Sequence, residues 1–427
     1  MKKKLKLIFL VFLFNINIVY AEEFNITSKS AILYNMNEEK ILYQLKSDEK
    51  LQIASLTKIM TVITAIENND DLEKKVEITK EMLKGIEEYT QVGFKVGDTP
   101  TIKDLLYGSM LPSGADAVNA LAISTSGSIS KFVDLMNEEA SKLKLKNTHF
   151  DNPVGMDSDN NYSTTSDIAK LLIYSLKNKI FKEVFTAKEY KIDVINKTVK
   201  TTLASYSRSY GLDISNITGA KSGFTDGAGL CLASTATIDN VDYLLITLGA
   251  STKIRSNAVK DSLEIYDYYS TNYSYQTVIE KNQKIKTLPI KWGKEKNYII
   301  TSNQDISLYL SNDIRKNRIK YIYSGLEEIN YKYKKGDKIG TVKIVYENNT
   351  LYQYDVYLEK NLEFYHPVLY GIIIILTFLT SVLTSFLHIY PIKERVSLYL
   401  IPLLLIIYGA FSNLDLSKHK KLFTFCL

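Results

Sequence analysis

Apolar and polar residues alternate in two short stretches near the start of the chain, AILYN from Ala31 and ILYQL from Ile41, on either side of the polar segment Met36 to Lys40. Period two about a polar turn predicts a β-hairpin. The period then changes: Leu56, Ile59, Met60, Ile63 and Ile66 recur at three and four residues, predicting a core-packed helix that starts at Ser55 and ends at Asn68-Asn69-Asp70. Further helices are expected at Thr101 to Leu111, opened by the capping-box-like Thr101-x-x-Asp104, at Ala115 to Ile123 and at Ile129 to Leu145. Between Gly219 and Ala250 the stretches KSGFT, GLCLASTATI and YLLITLGA, parted by Asp226-Gly227 and Asp239-Asn240, read as an antiparallel meander, and a helix from Ser256 to Tyr269 follows. Hairpin and meander in one sheet with helices beside it make an α+β unit of roughly 250 residues, spanning 22–273.

Beyond Tyr273 the helical period disappears. QTVIE, IKTLPI, NYIIT, ISLYLS, IKYIY, GTVKIVY and YQYDVYLE follow one another as strand-like stretches, with a turn at Lys335-Gly336-Asp337-Lys338, so residues 274–363 are expected to form a small all-β domain.

The two ends have a different character. Residues 1–21 carry Lys2, Lys3, Lys4 and Lys6, then an apolar core from Leu7 to Phe14, then the small-residue site Val19-Tyr20-Ala21, which is the pattern of a secretory signal. The alternative, an uncleaved N-terminal anchor, is weakened by Asn15 and Asn17. Residues 368–390 form a 23-residue run without a charge, about 35 Å as a helix and enough to cross a bilayer. A second apolar run, 396–411, carries Pro402 and reads as a short span or an interfacial segment. The chain is therefore expected to be exported and anchored in a membrane by its C-terminal region, with its body on the extracytoplasmic face.

Composition narrows the field. The 427 residues are 45% hydrophobic, which excludes a disordered chain, and two cysteines, Cys231 and Cys426, supply neither a disulfide framework nor a multi-cysteine zinc site. Both are expected to be free. Four histidines argue against a histidine metal centre, and a net charge of +6 with Lys and Glu interspersed calls for no nucleic-acid partner.

Candidate chemistry lies at three places. Ser55-Leu56-Thr57-Lys58 puts a hydroxyl and an amine three residues apart on one helix face, and a lysine of lowered pKa can take the proton of a serine nucleophile. By itself the motif also fits a helix cap followed by a solvated lysine. Pro112-Ser113-Gly114-Ala115-Asp116 follows in a turn between two helices, where Ser113 could equally be a cap. Gly219-Ala220-Lys221-Ser222-Gly223-Phe224 then places Lys221 on an edge strand as a fixed cation for a carboxylate, or simply as a surface lysine, with Gly223 letting a peptide backbone approach. Arg255, opening the helix after the last strand, is a further candidate carboxylate contact or a surface residue.

The order and spacing of these motifs match the penicillin-binding and β-lactamase signature. From about Glu22 to Glu363 the chain resembles low-molecular-mass penicillin-binding proteins of the D-alanyl-D-alanine carboxypeptidase family, with LLYGSMLPSGADA, THFDNPVGMD, YSTTSDIAKLL and GAKSGFTDGAGLCLASTA in the family's order. The resemblance implies a transpeptidase-like α+β domain, a small β domain and a membrane anchor. It implies Ser55 as acylated nucleophile, Lys58 as its general base, Ser113 as second-motif hydroxyl and Lys221, Ser222 and Gly223 as the substrate strand, without cofactor or metal. Its substrates would be peptidoglycan stem peptides ending in D-Ala-D-Ala, and its covalent inhibitors β-lactams. Ser222 stands where the family usually has threonine, and the hydroxyl is kept. Ala115 stands where the family has asparagine, so a side-chain amide that holds the substrate backbone and orients Lys58 is missing; Val154 stands where histidine is common, which we take as a change with little mechanistic content. A β-lactamase would need a deacylating base that no segment between Ser113 and Lys221 supplies. Ala115 leaves open a non-catalytic protein that binds muropeptides or scaffolds wall synthesis.

Overall fold

The computed structural model describes residues 24–363 and four isolated positions, Ile375, Leu376, Leu379 and Leu383. The expected secretory signal, the second apolar run, Cys426 and most of 368–390 lie outside the described residues, and among the described residues no helix is long and apolar enough to cross a membrane. The chain divides into two compact units: the described residues up to Ser274 with Ser311–Asp313, and Tyr275–Leu310 with the described residues from Ile314 on.

In the first unit the hairpin β1 (Ser30–Asn35) and β2 (Lys40–Leu45) forms as expected. Two short pairs follow, β3 (Leu51–Gln52) with β4 (Tyr162–Ser163) and β5 (Glu189–Ile192) with β6 (Lys197–Lys200). The meander β7 (Ile217–Thr225), β8 (Gly229–Ile238) and β9 (Val241–Ala250) joins the hairpin through β1 against β9, Ala31 opposite Thr247 and Leu33 opposite Leu245. The sheet is antiparallel throughout, in the order β2-β1-β9-β8-β7, so β7 is an edge strand.

Helices pack beside this sheet. The helix expected at Ser55 begins as a 3-10 turn, Ala54–Leu56, and becomes α1 (Thr57–Glu67). Every residue of α1 from Thr57 to Ile66 is buried, so it is the central helix of the unit, surrounded on all sides. Next come α2 (Ile102–Met110), α3 (Ala115–Ser126) and α4 (Ile129–Lys142). Thr101 and Asp104 close a true capping box at the start of α2: the Thr101 side chain accepts from the Asp104 N–H, and the Asp104 carboxylate from the Thr101 N–H. α5 (Thr165–Ser175), α6 (Lys179–Thr186) and α7 (Leu203–Tyr210) follow, with Phe181, Val184 and Phe185 forming the buried face of the strongly amphipathic α6. α8 (Asn257–Asn272) runs three residues past the expected end and is tied to the N-terminal segment by Asp261, whose carboxylate accepts from the backbone N–H and hydroxyl of both Thr27 and Ser28 at 2.6–3.1 Å.

The second unit is all-β: β10 (Tyr273–Ile279) pairs with β13 (Ile306–Ser311), β11 (Lys284–Pro289) with β12 (Asn297–Thr301), and β14 (Lys320–Gly325), β15 (Lys338–Tyr346) and β16 (Asn349–Tyr357) form a three-stranded sheet. Two small clusters hold it, one around Leu288, Ile300, Ile329 and Leu358, the other around Ile279, Leu310 and Ile344.

Candidate active site

Ser55 is delivered by a strained turn. Its predecessor Ala54 has φ 47°, a left-handed conformation that residues with a Cβ rarely hold, at a cost on the order of 1–3 kcal/mol. Two glycines keep the turn in place from either side. Gly155, itself at φ 87°, lies so close that an added Cβ would fall 2.0 Å from the Ala54 carbonyl oxygen, and a Cβ on Gly223 in β7 would stand 3.1 Å from both Ala54 Cβ and the Ser55 nitrogen. Gly223 thus admits the protein's own turn against the edge strand, a role beyond the expected approach of a peptide. No side chain caps the turn or α1, so Ser55 is not spent as a helix cap.

Lys58 is 1% exposed and Lys221 fully buried. Lys58 Nζ donates to Ser55 Oγ at 2.9 Å and to the Val154 carbonyl oxygen at 2.6 Å. Burial pushes its pKa well below the ordinary lysine value, and the neighbouring charge of Lys221 pushes it further the same way. Lys221 Nζ donates to the Ser222 carbonyl oxygen at 2.8 Å, and burial lowers its pKa to about 7. Two buried amines whose charges disfavour one another, one of them bonded to a serine hydroxyl, are costly to fold, because each ammonium loses its hydration. The surface-lysine reading of Lys221 is excluded.

Val154 contributes through its backbone. Its carbonyl holds the Lys58 amine, a contact that does not depend on which side chain stands at this position. The loop that presents it is built by Asn152, whose Oδ1 accepts from the Gly155 and Met156 N–H groups at 2.7 and 2.9 Å, and Thr61 of α1 donates to the Pro153 carbonyl at 2.7 Å. Asn152-Pro153 is legible in the sequence only as a turn.

The Ser113 hydroxyl is buried without a hydrogen-bond partner among the described residues, and its backbone is left-handed at φ 66°. The residue capping α3 is Gly114, with no side-chain bond, so Ser113 is not a cap. Ala115 is fully buried in an apolar cluster with Ile86, Val118 and Val154, and apolar side chains therefore occupy the surroundings in which an amide would need partners. Asp116, one position on, is committed elsewhere: its carboxylate accepts from the N–H groups of Val92, Gly93 and Phe94 at 2.8, 2.7 and 3.1 Å. No local pattern announces that role, since the partners lie more than twenty residues away.

On β7 the Ser222 hydroxyl shares a 2.7 Å hydrogen bond with Thr202 Oγ1, a residue with no motif to mark it. Arg255 is exposed and lies with its guanidinium carbon 3.9 Å from the centroid of the Phe224 ring, next along the strand from Gly223. The structure thus brings Ser55, Lys58, Lys221 and Gly223 together and sets Arg255 on the same strand end. A cavity of about 540 Å³ lined by Tyr34, Ile173, Leu176, Thr235 and Tyr243 includes none of these residues. Cys231, in β8, is a buried free thiol whose pKa burial raises to about 12.

A family model described as D-alanyl-D-alanine carboxypeptidase matches residues 17–252, and one described as the C-terminal domain of penicillin-binding protein 5 matches 273–363. D-alanyl-D-alanine carboxypeptidase DacF of Bacillus subtilis is 29% identical over 341 residues, 79% of this chain and 86% of the relative. A D-alanyl-D-alanine carboxypeptidase of a Streptomyces species is 34% identical over 239 residues, 53% of this chain and 81% of the relative. Penicillin binding protein 5 of Haemophilus influenzae superposes with a TM-score of 0.62 over 80% of this chain and 99% of its own, at 21% identity, a likeness of fold.

Proposed function

The chain belongs to the D-alanyl-D-alanine carboxypeptidase family of serine peptidases, and from that premise we propose that it removes the terminal D-alanine from peptidoglycan stem pentapeptides through an acyl-enzyme on Ser55. Ser55 Oγ attacks the penultimate D-alanine carbonyl while neutral Lys58 accepts its proton across the 2.9 Å hydrogen bond. Backbone N–H groups at Ser55 and on β7, brought side by side by Gly223, hold the developing oxyanion. Lys221 and Arg255 draw the substrate carboxylate to the end of β7, and Ser222 binds beside it. Ser113, whose hydroxyl has no hydrogen-bond partner among the described residues, passes its proton to the leaving amine and takes a replacement from the Lys58 ammonium, which returns Lys58 to the neutral amine. Water then resolves the ester. β-Lactams present a strained amide to the same serine and acylate it.

The observation that carries this reading is the contact between a buried, pKa-lowered lysine and the serine three residues before it. The test is the intact mass of the full chain after benzylpenicillin: one stoichiometric adduct is expected, lost in Ser55→Ala. An adduct that survives that substitution overturns the assignment.

Ala115 favours a second reading, a catalytically weak or inactive protein that keeps the fold to bind muropeptides, because the apolar cluster removes the amide that would orient substrate. A folded sample with no adduct selects it. In either case the apolar run 368–390 supports an exported chain anchored by its C-terminal region, with the first unit on the extracytoplasmic face.

A further inference from the structure

We propose that one end of the all-β unit, formed by the 290–296 turn and the 329–335 loop, rests on the surface of a phospholipid bilayer, with Trp292 and Tyr331 at the level of the headgroups. The inference builds on the membrane reading of 368–390 and adds a second point of contact to it.

The two segments are joined at their base. Ile290 and Ile329 form a parallel bridge, with the Lys291 N–H donating to the Ile329 carbonyl at 2.7 Å and the Ile329 N–H to the Pro289 carbonyl at 2.9 Å. Parallel pairing carries both segments in one direction, so Trp292 and Tyr331, each two residues past the bridge, emerge at the same end of the unit. Their side chains are 52% and 53% exposed, and among the described residues neither ring has a stacking or hydrogen-bond partner. Trp292 also holds φ 62°, the left-handed region that bulky residues avoid. About half of each residue's surface is thus left to solvent.

The same turn holds the last described residue before the apolar run. The Lys294 N–H donates to the Glu363 carbonyl at 2.8 Å, and its ammonium to the Glu363 carboxylate at 2.9 Å. Val368 is five residues further on, a reach of at most about 18 Å for an extended chain. The run's own described positions Ile375, Leu379 and Leu383 are helical, four residues apart, and expose their apolar side chains. If that run enters a bilayer, this end of the β unit is within reach of the lipid surface.

The side-chain chemistry fits that surface. Tryptophan and tyrosine concentrate where a bilayer meets water, because one end of each ring system is apolar and the other donates a hydrogen bond. Around them Glu328, Glu363 and Glu295 are paired with Lys291, Lys294 and Lys360. Lys296, Lys332, Lys334 and Lys335 are exposed and have no ion-pair partner among the described residues, which leaves them free for lipid phosphates.

Trp292 is the chain's single tryptophan, so its emission reports on this site alone. The experiment reconstitutes the full chain into phosphatidylcholine–phosphatidylglycerol vesicles, checks flotation, and compares quenching of Trp292 by aqueous iodide with quenching by lipids brominated near the headgroup end of the acyl chain. The expected result is a blue-shifted emission, iodide quenching reduced several-fold relative to the denatured chain, and strong quenching by the brominated lipid. A chain that floats while Trp292 stays open to iodide and blind to the brominated lipid overturns the proposal and leaves the membrane reading intact. Shielding from iodide without lipid quenching also overturns it, in favour of a protein partner or second copy. A chain that does not float overturns both readings.

Discussion

Lys58 Nζ stands closer to the Val154 carbonyl oxygen, at 2.6 Å, than to Ser55 Oγ, at 2.9 Å. The amine is thus held by backbone from a loop ninety-six residues away and aimed at the serine, and a neutral amine in that position keeps a lone pair for the serine proton. Lys58→Met should abolish this transfer. Acylation by benzylpenicillin is expected to slow by about 10²–10⁴-fold with the fold kept, read by stopped mass spectrometry and circular dichroism. An unchanged rate would remove Lys58 from the mechanism.

The pH dependence follows from the same pair. Lys58 works unprotonated, so the acylation rate falls as pH drops through its pKa. The charge of Lys221 depresses that pKa, so Lys221→Met, which removes the charge, should raise it. The acid limb of the rate profile is expected to move to higher pH while the plateau falls. A limb that stays in place would show that burial alone tunes Lys58.

Gly155→Ala tests the strained turn. Its Cβ would collide with the Ala54 carbonyl, and at φ 87° the backbone itself resists a side chain. Displacing the Ser55 turn by even an ångström should slow acylation by about 10²-fold, and thermal unfolding should show a lowered Tm. Full activity would mean that the turn tolerates movement.

Ala115→Asn places an amide in a space lined by Ile86, Val118 and Val154. Overpacking is expected to cost about 1–3 kcal/mol, visible in urea unfolding. In a working enzyme the substitution changes the rate of acylation; in an inactive relative it creates a penicillin adduct where none formed before.

Asp116→Ala should destabilise the first unit by on the order of 3 kcal/mol, because three backbone N–H groups at Val92, Gly93 and Phe94 lose a charged acceptor. Asp116→Asn, which keeps one acceptor oxygen, should lose less. Equal losses in the two variants would assign the effect to packing.

Much of this molecule is determined by local pattern. The period-two stretches became the hairpin and the meander, the three-and-four spacing after Ser55 became α1, and the loss of that spacing past Tyr273 marks the all-β unit, because alternation and helical period each bury one face of one element. The Ser-x-x-Lys spacing likewise fixes that Ser55 and Lys58 share a helix face. What the linear pattern could not decide is anything that depends on segments distant in the chain. That Lys58 is dry, that Val154 holds it by a carbonyl, that Asp116 turns away to the 92–94 loop, and that Gly223 serves the Ser55 turn are all products of packing between elements from more than twenty to more than a hundred and fifty residues apart. The amines' lowered pKa values belong to the same class, since desolvation and the field of a neighbouring charge exist only once the chain has closed around them.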